Sequence, residues 1–169
     1  MEAITAILSR RSVRKFKETE IPEDIIEKLA EAADAAPSAC NRRPVRFYFI
    51  TKKEKLAELD ASGMFTKMPS PLTVAVVGDM TRALPRSLAE YWVQDAAAAT
   101  ENILIAANAL GLGTCWNGVY PQERVMRRVS AALGLSESDV PFALIHVGYP
   151  DEDVPPHEGY DPDRVQFIK

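Results

Sequence analysis

DAAAATENILIAANAL, residues 95–110, runs directly into GLGTCWNG, residues 111–118. The first stretch is Ala-rich and nearly apolar on every side, so it reads as the middle of a long helix buried all round. That helix is expected over about Ser87 to Leu110. Gly111 then ends it, since glycine readily takes the left-handed position past a C-terminus. A single layer in a 169-residue domain hardly covers such a helix. A second subunit is therefore expected to pack on it; the competing reading is a central helix in a monomer core. The glycines that follow allow close backbone approach to a ligand and exposed amides. A helix cap leading into a strand uses similar letters, so both readings stand.

Outward from this point the chain alternates helix and strand signals. Residues 2–9 carry Ile4, Ile7 and Leu8 on one helical stripe. Pro22 to Ala36 reads as a helix with Pro22 in the first turn and Glu23 and Asp24 at the positive end of the dipole. Pro37 pushes Ala36 out of helical geometry. Phe47 to Thr51 is aromatic and β-branched and reads as a strand; Lys53 to Leu59 fits a short helix. Residues 61–71 hold Gly63, Pro69 and Pro71 and read as loop. Leu72 to Val77 and Phe142 to Val147 are continuous apolar runs, the pattern of strands covered on both faces. Pro121 to Leu133 is a further helix, stopped near Gly134. The Pro- and acid-rich tail from Pro150 ends with Val165, Phe167 and Ile168 alternating like an edge strand, an apolar tip suited to a neighbouring surface. Three or four strands interleaved with about five helices give an α/β or α+β class in one domain over residues 1–169.

The composition excludes several functions. Apolar residues make up 47% and charged residues 26%, an ordinary globular mix. Acids outnumber bases 24 to 20, for a net charge of −4. A pI near 5.3 argues against a nucleic-acid or anionic-membrane binder. No run of about 18 apolar residues predicts a membrane span. Glu2 stands where a signal peptide needs positive charge. Cys40 and Cys115 lack zinc or disulfide spacing and read as reduced thiols of a cytoplasmic protein. With His146 and His157 far apart, no metal centre is expected.

Against this acidic background, RRSVRKF and the Lys17 that follows it place five cations, Arg10, Arg11, Arg14, Lys15 and Lys17, within eight residues. A local basic knot suits one discrete anion, and Arg meets phosphate oxygens through a planar fork. A solvated charged turn is the plainer reading. APSACNRRPV, residues 36–45, puts small polar residues between a helix and a strand, either to approach a flat ligand or as ordinary turn chemistry. Cys115 reads as a buried apolar thiol and Trp116 as packing. There is no GxGxxG after a strand, no P-loop, no GxSxG and no HExxH. The singled-out residues bind rather than react, so no catalytic side chain is assigned; a cofactor would carry the chemistry.

Arg10-Arg11-Ser12-x-Arg14-x-Phe16, then Ala36-Pro37-Ser38-Ala39-x-Asn41-x-x-Pro44, then Gly111-Leu112-Gly113-Thr114-Cys115-Trp116, and finally Gly148-Tyr149-Pro150, resemble in this order the nitroreductase family of FMN-dependent oxidoreductases. The resemblance covers essentially the whole chain. It implies an α+β sandwich with a central mixed or antiparallel sheet flanked by helices, built as an intertwined homodimer. It implies FMN at the subunit interface, NADH or NADPH as hydride donor, and two-step transfer through flavin N5 to a small acceptor such as a nitroaromatic or quinone. Arg10, Arg11, Ser12 and Arg14 would hold the FMN phosphate, ribityl chain and pyrimidine edge. Pro37, Ser38, Ala39 and Asn41 would come from the other subunit. Backbone amides of Asn117 and Gly118 would reach N5 and O4, and Lys67 would stand near N1 and O2. The tail, residues 150–169, would reach over the partner. Three departures stand out. Arg43 and Val45 replace the usual Gln and Trp. The stretch between the first two strands is short, so access is expected to be open. The tail reads Pro156-His157-Glu158-Gly159 where the family often supplies phosphate contacts, leaving Arg164 or His157 to substitute. Two other classes compete: a flavin- or phosphate-binding module without turnover, and an interaction domain docking an acidic partner on RRSVRKF.

Overall fold

The longest helix of the computed structural model, α4 (Tyr91–Ala109), lies across one face of a four-stranded sheet. The structure describes residues 1–63, 66–155, 157 and 159–169. Part of the 61–71 loop, and Pro156 and Glu158 of the tail stretch, lie outside the described residues. In chain order the other elements are α1 (Ala3–Ser9), α2 (Glu23–Asp34), β1 (Val45–Ile50), α3 (Lys53–Asp60), β2 (Leu72–Asp79), β3 (Gly113–Gly118), α5 (Glu123–Leu133) and β4 (Asp139–Gly148). The strand order is β1-β2-β4-β3, and every pairing is antiparallel. Among the described residues the one parallel contact is an isolated bridge, Ser12 to Thr114. Helices and an antiparallel sheet in separate layers make an α+β fold.

Strand alternation sorts the core into two layers. Leu72, Val74 and Val76 of β2 and Ala143, Ile145 and Val147 of β4 face α2 and α4 with Leu29, Trp92, Ile103 and Leu104. Ala75, Val77 and Leu144 face the other way, with Leu59, Val119 and Val129 beside α3 and α5. Both faces being covered explains why all eight residues of β2 are buried.

Several expectations change. The helix begins at Tyr91, not Ser87: Arg86 takes a positive φ of 56°, and a 3-10 turn over Arg86–Leu88 precedes it. Nor is α4 buried all round within the protomer. Trp92, Asp95, Ala96, Ala99, Thr100, Ile103, Leu104 and Ala107 form the covered stripe, while Val93, Ala97, Ala98 and Ile105 stay half-covered. The sheet is antiparallel rather than mixed. GTCWNG resolves as strand β3. β4 starts earlier than the apolar run because Pro141 is accommodated at a register shift opposite Val76 and Val77. Val165, Phe167 and Ile168 form no strand, and they are exposed. No helix among the described residues is long and apolar enough to cross a membrane.

Candidate functional site

The basic knot is neither helix nor free turn. It runs extended beside β3, with Val13 N donating to Thr114 O at 2.9 Å. It then continues past the end of β4, where Lys17 N donates to Tyr149 O and Asp151 N to Lys15 O, both at 2.9 Å. Glu152 fastens the middle: its Oε1 accepts from Arg14 N at 2.5 Å and Lys15 N at 3.0 Å. The Arg14 amide, more than any other group, holds this carboxyl below the ordinary glutamate range. Gly113 makes the arrangement possible, since a Cβ there would meet Val13 Cβ at 2.8 Å.

This pinning fixes the far side of β3. On the inner side, Val119 N donates to Phe142 O at 2.9 Å. Thr114 uses its carbonyl outward, so strand alternation turns the backbone groups of Trp116 and Gly118 outward as well. The amide of Asn117 faces β4 instead, paired in register with Leu144. Two clefts flank this open edge. One, of about 480 Å³, lies towards α4 and is lined by Arg10, Ser12, Glu101, Leu104, Thr114, Trp116 and Gly118. The other, of about 520 Å³, is lined by Ser12, Arg14, Lys67, Met68, Cys115, Trp116, Asn117, Gly118 and Gln122. They share Ser12, Trp116 and Gly118, so together they form one groove over the edge.

The structure therefore gathers Arg10, Ser12, Arg14, Lys67, Asn117 and Gly118. Arg11 lines neither cleft but an adjoining small hollow of about 160 Å³, which also holds Asn108 and Glu152 and shares Arg10 and Thr114 with the first cleft. Arg164 sits in a 3-10 turn of the tail and lines neither cleft. His157 Nδ1 accepts from Gly159 N at 3.0 Å within that tail. Pro37, Ser38, Ala39 and Asn41 lie in the loop between α2 and β1, also away from both clefts of their own protomer. This loop is tightly wound: Cys40, Asn41 and Arg43 all take positive φ, at 50°, 52° and 47°. Such conformations persist only when the surroundings impose them. Here Ser38 Oγ accepts from Arg43 N at 2.9 Å, and Asp95 Oδ1 of α4 accepts from Ala39 N at 2.8 Å.

Two residues escaped the sequence reading, Asp95 and Glu101. Both are acids in the Ala-rich stretch of α4, and that mismatch was the available signal. Glu101 Oε1 accepts from Arg10 Nε at 3.1 Å. Other details fit a binding surface. Trp116 is 36% exposed and leans on Phe142, ring centroids 5.8 Å apart. Burial raises the Cys115 thiol above its ordinary range, so it stays protonated beneath the groove. Asn117 Nδ2 is buried without a hydrogen-bond partner. A Cβ built on Gly118 meets nothing within 4 Å, so the edge stands open there.

A family profile described as Nitroreductase family matches residues 7–69 and 61–149. A candidate NADH dehydrogenase/NAD(P)H nitroreductase of Methanothermobacter thermautotrophicus is 36% identical over 169 residues, which is 100% of this chain and 88% of that protein. The crystal structure of another candidate with the same description, from Parabacteroides distasonis, matches with a TM-score of 0.90 at 32% identity, covering 99% of this chain and 98% of that one. The FMN-dependent nitroreductase of Clostridium difficile R20291 matches with a TM-score of 0.88 at 27% identity, covering 98% and 99%. Matches that run the length of the chain in both sequence and fold leave one conclusion: this protein belongs to the nitroreductase family.

Proposed function

We propose that the protein is an FMN-dependent NAD(P)H oxidoreductase, working as a homodimer on a small acceptor such as a nitroaromatic or quinone. The observation that carries this is the groove over β3. Arg10, Ser12, Arg14 and Lys67 converge on an outward backbone edge that no side chain at Gly118 obstructs. The donor set fits a flat, anionic ligand: guanidinium and hydroxyl groups for phosphate, an ammonium and a backbone N–H for ring heteroatoms. The name of the C. difficile relative supports FMN as that ligand.

Bound there, FMN would supply hydride acceptance from NADH or NADPH and its return to the acceptor. The chain's own part is to bind and orient. Arg10 and Ser12 would face the phosphate and ribityl chain. Arg14 and Lys67 would place positive charge beside the pyrimidine edge, where negative charge gathers on reduction. Gly118 would donate its outward N–H, whereas Asn117 offers a side chain, its amide being turned to β4. Arg11, from the adjoining hollow, would assist at longer range. Pro37, Ser38, Ala39 and Asn41 would complete the groove of a second copy, held in shape by Asp95. The tail, residues 150–169 of this single domain, would reach over that copy, carrying Arg164 with it. No side chain is assigned as acid or base.

The purified protein is expected to be yellow, or to become so with added FMN, and NADH or NADPH should bleach the flavin band. A protein that binds no FMN would refute the reading. A flavin-binding module without turnover is the competing reading, favoured by the distance of Arg164 and His157 from both clefts of their own protomer. Steady-state NAD(P)H consumption with an added quinone separates the two.

A further inference from the structure

A carboxylate stands in the wall of a cleft whose other charged side chain, Arg10, invites an anion. Glu101 lines the α4-side cleft together with Arg10, and the two meet through a single contact, Arg10 Nε to Glu101 Oε1 at 3.1 Å. The side chains are only 29% and 41% exposed, so the pair is half-sheltered. A guanidinium carries five N–H donors in a rigid planar fork. With Nε engaged, its two terminal nitrogens remain, and they make no hydrogen bond among the described residues. Nothing about stability requires this pair, since half-exposed ion pairs contribute little. Its geometric effect is larger. A free arginine side chain holds much rotamer entropy, and ordering it beforehand removes that cost from binding.

We propose that Glu101 is the positioning residue of an anion clamp: it holds Arg10 by Nε so that the terminal nitrogens are presented, already ordered, to a phosphate monoester. Only the identity of the phosphate, that of FMN, rests on the function proposed above. Glu101 partly neutralises Arg10. Arg14 and Lys67, with no ion pair among the described residues, leave the groove positive.

The test titrates the full-length protein with FMN and with riboflavin, which lacks the phosphate, following flavin fluorescence. Glu101→Ala should weaken FMN about tenfold, as loss of a charge-assisted contact does, and leave riboflavin unchanged. Glu101→Gln keeps the accepting oxygen and should retain FMN affinity. In an Arg10→Ala background, removing Glu101 should have no further effect on FMN. Parallel losses for FMN and riboflavin, or unchanged FMN affinity in Glu101→Ala, would overturn the proposal. A second readout needs no flavin: inorganic phosphate should shift the Arg10 Nε resonance saturably in the wild-type protein and in Glu101→Gln, but not in Glu101→Ala. A wild-type protein that binds phosphate this way but no flavin would refute the FMN reading and leave the clamp standing; a wild-type resonance indifferent to phosphate would refute the clamp.

Discussion

His146 is the group in this chain most displaced from its solution chemistry. It is fully buried on β4, between Thr73 of β2 and Cys115 of β3. Its Nδ1 lies 3.2 Å from Ser70 Oγ, while Nε2 is buried with no hydrogen-bond partner among the described residues. Burial lowers its pKa from 6.5 to about 4, so the folded protein holds the ring neutral. The sign of the consequence follows. Between those two values the unfolded chain binds a proton that the folded chain refuses, so this contribution to stability is present above about pH 6.5 and is lost as pH falls towards 4. Urea denaturation at pH 7 and pH 5, a window that leaves most carboxylates ionised, isolates the effect. The wild-type protein should lose on the order of 2 kcal/mol across it, and His146→Leu should lose much less. Equal losses in the two proteins would show that the ring does not titrate on unfolding. Cys115, opposite His146 in the β3–β4 register, obeys the same rule with the opposite charge sign: burial raises its pKa and keeps it neutral.

Two glycines of β3 separate folding from binding at the scale of the element. Gly113 meets the extended basic segment, and a methyl group there would press on Val13 at 2.8 Å. Gly118 meets nothing. Gly113→Ala should therefore cost about 1–3 kcal/mol of stability through overpacking, lowering Tm by several degrees. Gly118→Val should leave Tm nearly unchanged but weaken FMN, because its side chain projects into the groove. Thermal melts and flavin titrations on both variants check the pair, and a large Tm loss in Gly118→Val would contradict it. The contrast also marks what sequence could tell. The apolar runs of β2 and β4, and the periodicity of α2 and α5, were legible because burial on two faces or one stripe leaves a regular trace. β3 was ambiguous because its glycines serve close approach instead of alternation. Pro141 hid the start of β4 because a proline at a register shift looks like a breaker. In the groove, the cations of RRSVRKF were legible as candidate ligands of an anion. Their split, with Arg10, Ser12 and Arg14 facing the clefts and Arg11 the small hollow, depends on an extended conformation set by Thr114 and Glu152, far away in sequence. Asp95 and Glu101 read as oddities of a buried helix until their partners, Ala39 and Arg10, appear beside them.

At the scale of the molecule, the protomer leaves apolar side chains that its own fold does not use. On α1, Ala6 packs inward while Ile4, Ile7 and Leu8 are 68%, 49% and 69% exposed. At the tail, Phe167 and Ile168 are 79% and 98% exposed. In a symmetric homodimer these five side chains recur on both copies, ten in all, and burying them would yield about 1.5–3 kcal/mol each, against an association cost of about 4–15 kcal/mol. Together with the half-covered flank of α4, α1 and the tail would therefore suffice for a stable homodimer. Sedimentation of the intact chain should give the dimer mass. Ile7→Asp combined with Leu8→Asp should shift it towards the protomer mass, and removal of residues 165–169 should act in the same direction. The functional consequence is sharper than the mass. If Pro37 to Asn41 complete the groove of the other copy, the two-Asp variant should remain folded, by an unchanged circular dichroism spectrum, yet lose FMN affinity although no residue of RRSVRKF has been touched. A folded protomer that kept full FMN affinity would show that one chain makes the whole site, and the loop anchored by Asp95 would then need another role.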